Sequence, residues 1–173
     1  HLRLTTPKVI GIGTGLFPRA CVEHLPSMEC PQHTIVSLVG NLHIDGSATA
    51  KNVVERLADR VGAPHNPMPL PVLVRNPSEL EQLHRLEHVA QTRALCKSAD
   101  ATFVGIAHID DTSPLVRDGF ISVEESRVLM KEGAVGEIVG WVYDKQGELI
   151  PGLTNARVTS APLTPGNERP VVG

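Results

Sequence analysis

The run Lys8-Val9-Ile10-Gly11-Ile12-Gly13-Thr14-Gly15, followed by Pro18-Arg19-Ala20-Cys21-Val22-Glu23, constrains the fold more than any other stretch of the chain. A short apolar run without polar alternation suits a strand buried on both faces, the kind found in parallel sheets covered by helices. Glycines at 11, 13 and 15 then supply a tight turn, and Pro18 suits the first turn of a helix, where its missing N–H costs nothing. Such a turn leaves N–H groups unpaired and pointing outward, which makes it a place to hold a small polar ligand. Two later segments have the same shape: Thr34-Ile35-Val36-Ser37-Leu38-Val39-Gly40-Asn41 and Ala101-Thr102-Phe103-Val104-Gly105-Ile106-Ala107. Neighbouring parallel strands that all end in glycine at one edge would form a crevice there.

Between and after these strands the pattern is helical. The first helix should run from Pro18 to Pro26 with Ala20, Cys21 and Leu25 turned inward, Cys21 serving as a small core residue. The spacing of Val53, Val54, Leu57, Ala58 and Val61 predicts a second helix, begun near Ser47 and stopped by Gly62. Pro64, Pro67, Pro69 and Pro71 read as a loop leading into the apolar run Val72-Leu73-Val74. Ser78-Glu79-Leu80-Glu81 has the capping-box pattern, and its apolar face continues through Leu83, Leu86, Val89 and Ala90 to about Lys97 as one helix. A buried strand from Thr102 to Ile106 follows. Ser122-Val123-Glu124-Glu125 repeats the capping box, with Gly133 as the stop. Glu137 to Tyr143, the turn Asp144 to Gly147, and Glu148-Leu149-Ile150 predict a hairpin, after which only Arg157-Val158-Thr159-Ser160 reads as strand-forming. Alternating strands and helices of these lengths predict an α/β fold, a parallel-sheet, Rossmann-like, three-layer domain.

Charge and cysteine content narrow the function. The 173 residues carry a net charge of −3 with both signs interspersed, so no basic stripe would grip nucleic acid. Three cysteines without a CxxC pair fit a reducing cytoplasm better than a disulfide framework. No apolar stretch is long enough to cross a bilayer. A dinucleotide cofactor would need glycine where Leu16 stands and an acidic residue where Gly40-Asn41 close the second strand, and a P-loop would need Gly-Lys-Ser or Gly-Lys-Thr. No cofactor is therefore expected. His84 and His88, four apart, have the spacing of metal ligands, but Arg85 and Glu87 between them point to a solvated face, so no metal is expected either.

Read in order, the glycine turn, Val22-Glu23-His24-Leu25-Pro26, Val36 to Gly40, Ala99-Asp100 with Val104-Gly105-Ile106, Asp118-Gly119-Phe120-Ile121 and Gly133-Ala134-Val135-Gly136-Glu137-Ile138 resemble the effector-binding domain of the SorC family of bacterial transcriptional regulators. The block Gly133 to Ile138 ahead of the turn at Asp144 to Gly147 is the most specific part, and the similarity spans Val9 to Gly173. The resemblance implies a sugar-sensing module related in fold to the sugar-phosphate isomerases and deaminases, working as a homodimer or homotetramer in the cytoplasm. It implies that residues 1–173 are a single effector-binding domain, a fragment that reaches operator DNA only through a helix-turn-helix outside this chain.

By resemblance and by position at strand ends, the expected ligand contacts are Gly13, Thr14 and Gly15 in the first turn, Gly40 and Asn41 in the second, Gly105 and Ile106 in the third, and Glu137. The first loop offers N–H donors and a hydroxyl, Asn41 can bond sugar hydroxyls with both amide ends, and Glu137 can accept from vicinal hydroxyls. Leu16-Phe17-Pro18 replaces polar or basic residues often found after this loop in the family. A sugar or polyol is thus almost as admissible an effector as a sugar phosphate. The alternative is an isomerase or deaminase using His108, Asp110 and Asp111 as acid-base groups. In those enzymes the histidine follows the aspartate, whereas His108 precedes both, and no catalytic residue is assigned.

Overall fold

The structure is a computed structural model, which describes residues 5–49, 53–163 and 169–173. Its centre is a parallel five-stranded sheet in the order β3-β2-β1-β4-β8, made of β1 (Val9–Ile12), β2 (Thr34–Leu42), β3 (His65–Pro71), β4 (Ala101–Phe103) and β8 (Val171–Val172). Register runs Val9 to Thr34 and Ile12 to Ser37 on one side of β1, and Ile10 to Ala101 on the other. Ile10, Ile12 and Ile35 face α1 (Leu16–His24) and α2 (Val53–Val61) in one apolar layer. The alternate residues Val36 and Leu38 face α4 (Glu87–Ser98), with Val89 and Cys96, in another. These two layers and the sheet between them make the expected three-layer α/β arrangement.

A second sheet, antiparallel and in the order β5-β6-β7, projects beyond the carboxyl end of β4. It comprises β5 (Ile106–His108), β6 (Ala134–Ile138) and β7 (Trp141–Asp144), packed on α5 (Pro114–Arg117) and α6 (Val123–Lys131) around Leu115, Leu129 and Val142. Ser122 caps α6 with the predicted capping box: Glu125 N–H donates to Ser122 Oγ, and Ser122 N–H to Glu125 Oε2. The turn from β6 to β7 is Val139-Gly140, with φ of 49° and 88°. Those values suit a two-residue hairpin of type I′, whose first central position rarely takes a β-branched residue.

Several expectations need correcting. The expected single strand Thr102 to Ile106 divides: the chain leaves the parallel sheet at Phe103, and Ile106 starts a strand of the other sheet with 67% of its surface exposed. The expected single strand Glu137 to Tyr143 is likewise two strands around Val139-Gly140. The helix read from Ser78 to Lys97 is also two, α3 (Pro77–His84) and α4, broken at Arg85-Leu86, and its cap is Asn76, whose Oδ1 accepts from Glu79 N–H at 2.9 Å. The predicted proline loop is β3, a strand at the sheet margin where prolines are tolerated. Helix α1 buries Pro18 and Val22, while Ala20 and Cys21 are exposed and Leu25 half-buried, so Cys21 is no core residue. Ser47 precedes α2 by several residues, and 50–52 lie outside the described residues. The segment Arg157 to Ser160 contributes only a bridge from Val158 to Leu73.

Candidate functional site

The carboxyl ends of β1, β2 and β4 open onto one hollow of about 430 Å³ between the two sheets. That is within the range of about 300–1,000 Å³ typical of small-molecule sites. Thr14 and Gly15 line it from the first turn, Gly40 from β2, and Gly105 and Ile106 from the crossover between the sheets. Glu137 enters from β6. Six of the eight expected contacts are thus brought together. Gly13 and Asn41 instead line an adjoining niche of about 10 Å³, which Thr14 and Gly40 share. In that niche, about the size of one water, Asn41 Oδ1 is buried without a hydrogen-bond partner.

The glycines allow backbone to meet backbone, and that is what shapes the hollow. A side chain at Gly40 would place its Cβ 2.4 Å from Leu70 O and 2.7 Å from Pro71 O. One at Gly105 would come within 2.7 Å of Thr14 O, and Gly15, at φ 124°, lies against Gly105 in turn. At Gly13 the obstacle is a side chain, Val139 Cγ1 at 2.5 Å, so the β6–β7 turn is wedged against the end of β1.

Glu137 is the chemically distinctive group. Its Oε2 accepts the Gly140 N–H at 2.8 Å, fixing the carboxylate under the hairpin turn. Burial pushes its pKa from 4.5 up to about 7; the Gly140 hydrogen bond acts against that rise, and the nearby Asp118 charge adds to it. The carboxylate therefore changes charge near neutral pH and can accept from hydroxyl hydrogens when ionised.

The far wall comes from residues that sequence reasoning did not assign. His43, just after β2, stacks on Phe120 with ring centroids 5.0 Å apart and planes 16° from parallel, joining the two halves of the hollow. Arg117 and Asp118 at the end of α5 also line it and pair with each other at 3.3 Å. The block Asp118 to Ile121 was a visible motif, but α5 is a single turn, too short to show a period that would orient it. Walls of Val39, Val72, Leu115 and Phe120 leave most of the lining apolar.

His108 Nε2 lies 3.3 Å from Asp110 Oδ2, but the three acid-base candidates do not converge on the hollow. Asp110 Oδ1 accepts from Thr112 N–H at 2.6 Å and Thr112 Oγ1 at 2.8 Å, and these bonds hold its pKa below the usual carboxylate range. Asp111 takes the Arg127 guanidinium through both oxygens, at 2.7–3.2 Å. Of the three only His108 lines the hollow. His84 and His88 sit on different helices, and His84 Nε2 lies 3.1 Å from the Arg93 guanidinium, which, after burial, helps hold its pKa low.

Fold and hollow together define an α/β module with an enclosed cavity of small-molecule size. Residues 1–172 match the family model described as "Putative sugar-binding domain", and the chain belongs to that family, the sugar-binding domains of SorC-type transcriptional regulators. It is 29% identical over 154 residues, 89% of its length, to the erythritol catabolism regulatory protein EryD of Brucella abortus, and covers 49% of that protein. It is 28% identical over 157 residues to the transcriptional regulator LsrR of Klebsiella pneumoniae, covering 84% of this chain and 44% of that one. In fold it is similar to the full-length sorbitol operon regulator SorC of Klebsiella pneumoniae, with a TM-score of 0.75 at 24% identity over 92% of this chain and 52% of that one. The chain spans about half the length of the curated relatives it matches. Those relatives are regulators, not enzymes. Among the described residues no helix is long and apolar enough to cross a membrane.

Proposed function

We propose that this chain is the sensor module of a longer cytoplasmic regulator of transcription, and that its hollow takes up a sugar, polyol or sugar phosphate effector. The carrying observation is that the turns after β1, β2 and β4 and the Glu137 carboxylate share one enclosure of monosaccharide size. Thr14, Gly15, Gly40, Gly105, Ile106 and Glu137 contact the effector directly, and Gly13 and Asn41 support the loops that do. The relatives' names, which refer to erythritol catabolism and deoxyribonucleosides, agree with a small polyhydroxylated ligand. Occupancy acts by favouring one arrangement of a homodimer or homotetramer over another, so the effector binds those arrangements with unequal affinity. Operator DNA is contacted by a separate domain of the longer protein.

A thermal-shift screen of sugars, polyols and their phosphates tests this. A ligand at 100 times its dissociation constant stabilises by about 2.7 kcal/mol, which for a chain of this size raises Tm by about 5–10 °C. An unchanged melting temperature across the whole panel would refute the sensor reading.

A further inference from the structure

Resting on the reading of the hollow as the effector site, we infer that its ligand is an uncharged polyhydroxylated molecule, a free sugar or polyol and not a phosphate ester, seated through vicinal hydroxyls on the Glu137 carboxylate.

The charges of the lining carry this. Arg117 is the one permanent cation of the lining among the described residues, and both it and His108 already face a carboxylate. Arg117 Nε is 3.3 Å from Asp118 Oδ1, His108 Nε2 is 3.3 Å from Asp110 Oδ2, and His43 stacks on Phe120. Glu137 forms no salt bridge among the described residues, and its Oε2 accepts a neutral hydrogen bond from Gly140 N–H. The uncompensated charge in the hollow is therefore negative. A phosphate monoester carries about −1.5 to −2 at neutral pH, and bringing it beside a shielded carboxylate adds repulsion to desolvation.

The place where a phosphate would ordinarily sit is equally unsuited. Helix α1 starts at Gly15 without a side-chain cap, its first two residues Leu16 and Phe17 are exposed and apolar, and Pro18 removes an N–H. Arg19, the first cation of the helix, is turned to Glu23 at 3.0 Å. Gly105 packs closely on this loop: its Cα would lie 3.3 Å from a Cβ on Gly15. A neutral polyol needs none of these groups. Its hydroxyls donate to the carboxylate, its remaining hydroxyls reach Thr14 and Thr112, and its C–H edges meet the apolar walls.

Isothermal titration of the chain at pH 8, with matched pairs (erythritol and erythritol 4-phosphate, ribitol and ribitol 5-phosphate, sorbitol and sorbitol 6-phosphate) and with inorganic phosphate, tests the inference. The expected result is at least one pair in which the free polyol binds tenfold or more tightly than its phosphate. Glu137→Gln, which preserves length and an acceptor for Gly140, should weaken that binding at least tenfold. Tighter binding of the phosphate member in every pair that binds, or competition by inorganic phosphate, would overturn it. Undiminished polyol binding by Glu137→Gln would overturn the seat on Glu137. Silence from both members of every pair would instead strike at the sensor reading itself.

Discussion

Gly13 and Val139 offer a direct test of how the hollow is built. Adding a methyl at Gly13 places a carbon 2.5 Å from Val139 Cγ1, far inside van der Waals contact. Val139 cannot easily yield, because it is β-branched, 3% exposed, and held in a hairpin turn at φ 49° that the Glu137–Gly140 bond also fixes. Gly13→Ala should therefore cost about 1–3 kcal/mol, the usual range for overpacking a core, or a fall in Tm of about 2–12 °C. In a Val139→Ala background the obstructing atom is gone, and the nearest remaining neighbour, Val104 Cα at 3.5 Å, is in ordinary contact. There the same Gly13→Ala change should cost less than about 0.5 kcal/mol, giving a coupling of at least about 0.5 kcal/mol between the two sites. Urea denaturation of the four proteins at equilibrium measures each corner of the cycle. Equal losses in both backgrounds would show that Gly13 is needed for its backbone alone and that the turn is not wedged against β1.

Three further outcomes are expected. Because folding raises the Glu137 pKa from 4.5 to about 7, the native state holds a proton the unfolded chain has lost. Its contribution to stability is full below pH 4.5 and disappears as pH rises through 7, so Glu137→Gln should flatten the fall in Tm over that window. Asn76→Ala should cost about 1 kcal/mol in chemical denaturation through loss of its cap on α3, while Ser78→Ala should change stability by less than half of that. Asn155 Oδ1 accepts from Val142 N–H, and its amide donates to Val142 O and Ile150 O, all at 2.8 Å. Its replacement by alanine should destabilise by about 2–3 kcal/mol, with calorimetry as the check.

How far the chain could be read in advance follows from where each signal resides. β1, β2 and α2 were legible because one burial pattern decides each: unbroken apolar runs for strands inside a parallel sheet, and Val53, Val54, Leu57, Ala58 and Val61 for one helical face. The facing of α1 was missed because the helix begins at Leu16, not Pro18, and its two most apolar starting residues point outward. β3 was hidden by its prolines, since whether a proline-bearing run is a strand depends on its lying at a sheet margin, a tertiary fact. The glycine turns pointed to the hollow, but through the right residues for a different reason: they admit neighbouring backbone, and only in doing so bring Thr14, Ile106 and Glu137 together. The pairing of His43 with Phe120 could not be read from the sequence, although Phe120 lies in the Asp118 to Ile121 motif, because it joins segments far apart along the chain.

The outer strand of the large sheet has a wider meaning. Pro67, Pro69 and Pro71 alternate with the buried Met68 and Leu70, so the three prolines fall where amide hydrogens would otherwise face away from β2. A strand from another molecule arriving there finds carbonyls but few hydrogens to bond. That flank resists runaway stacking of copies edge to edge.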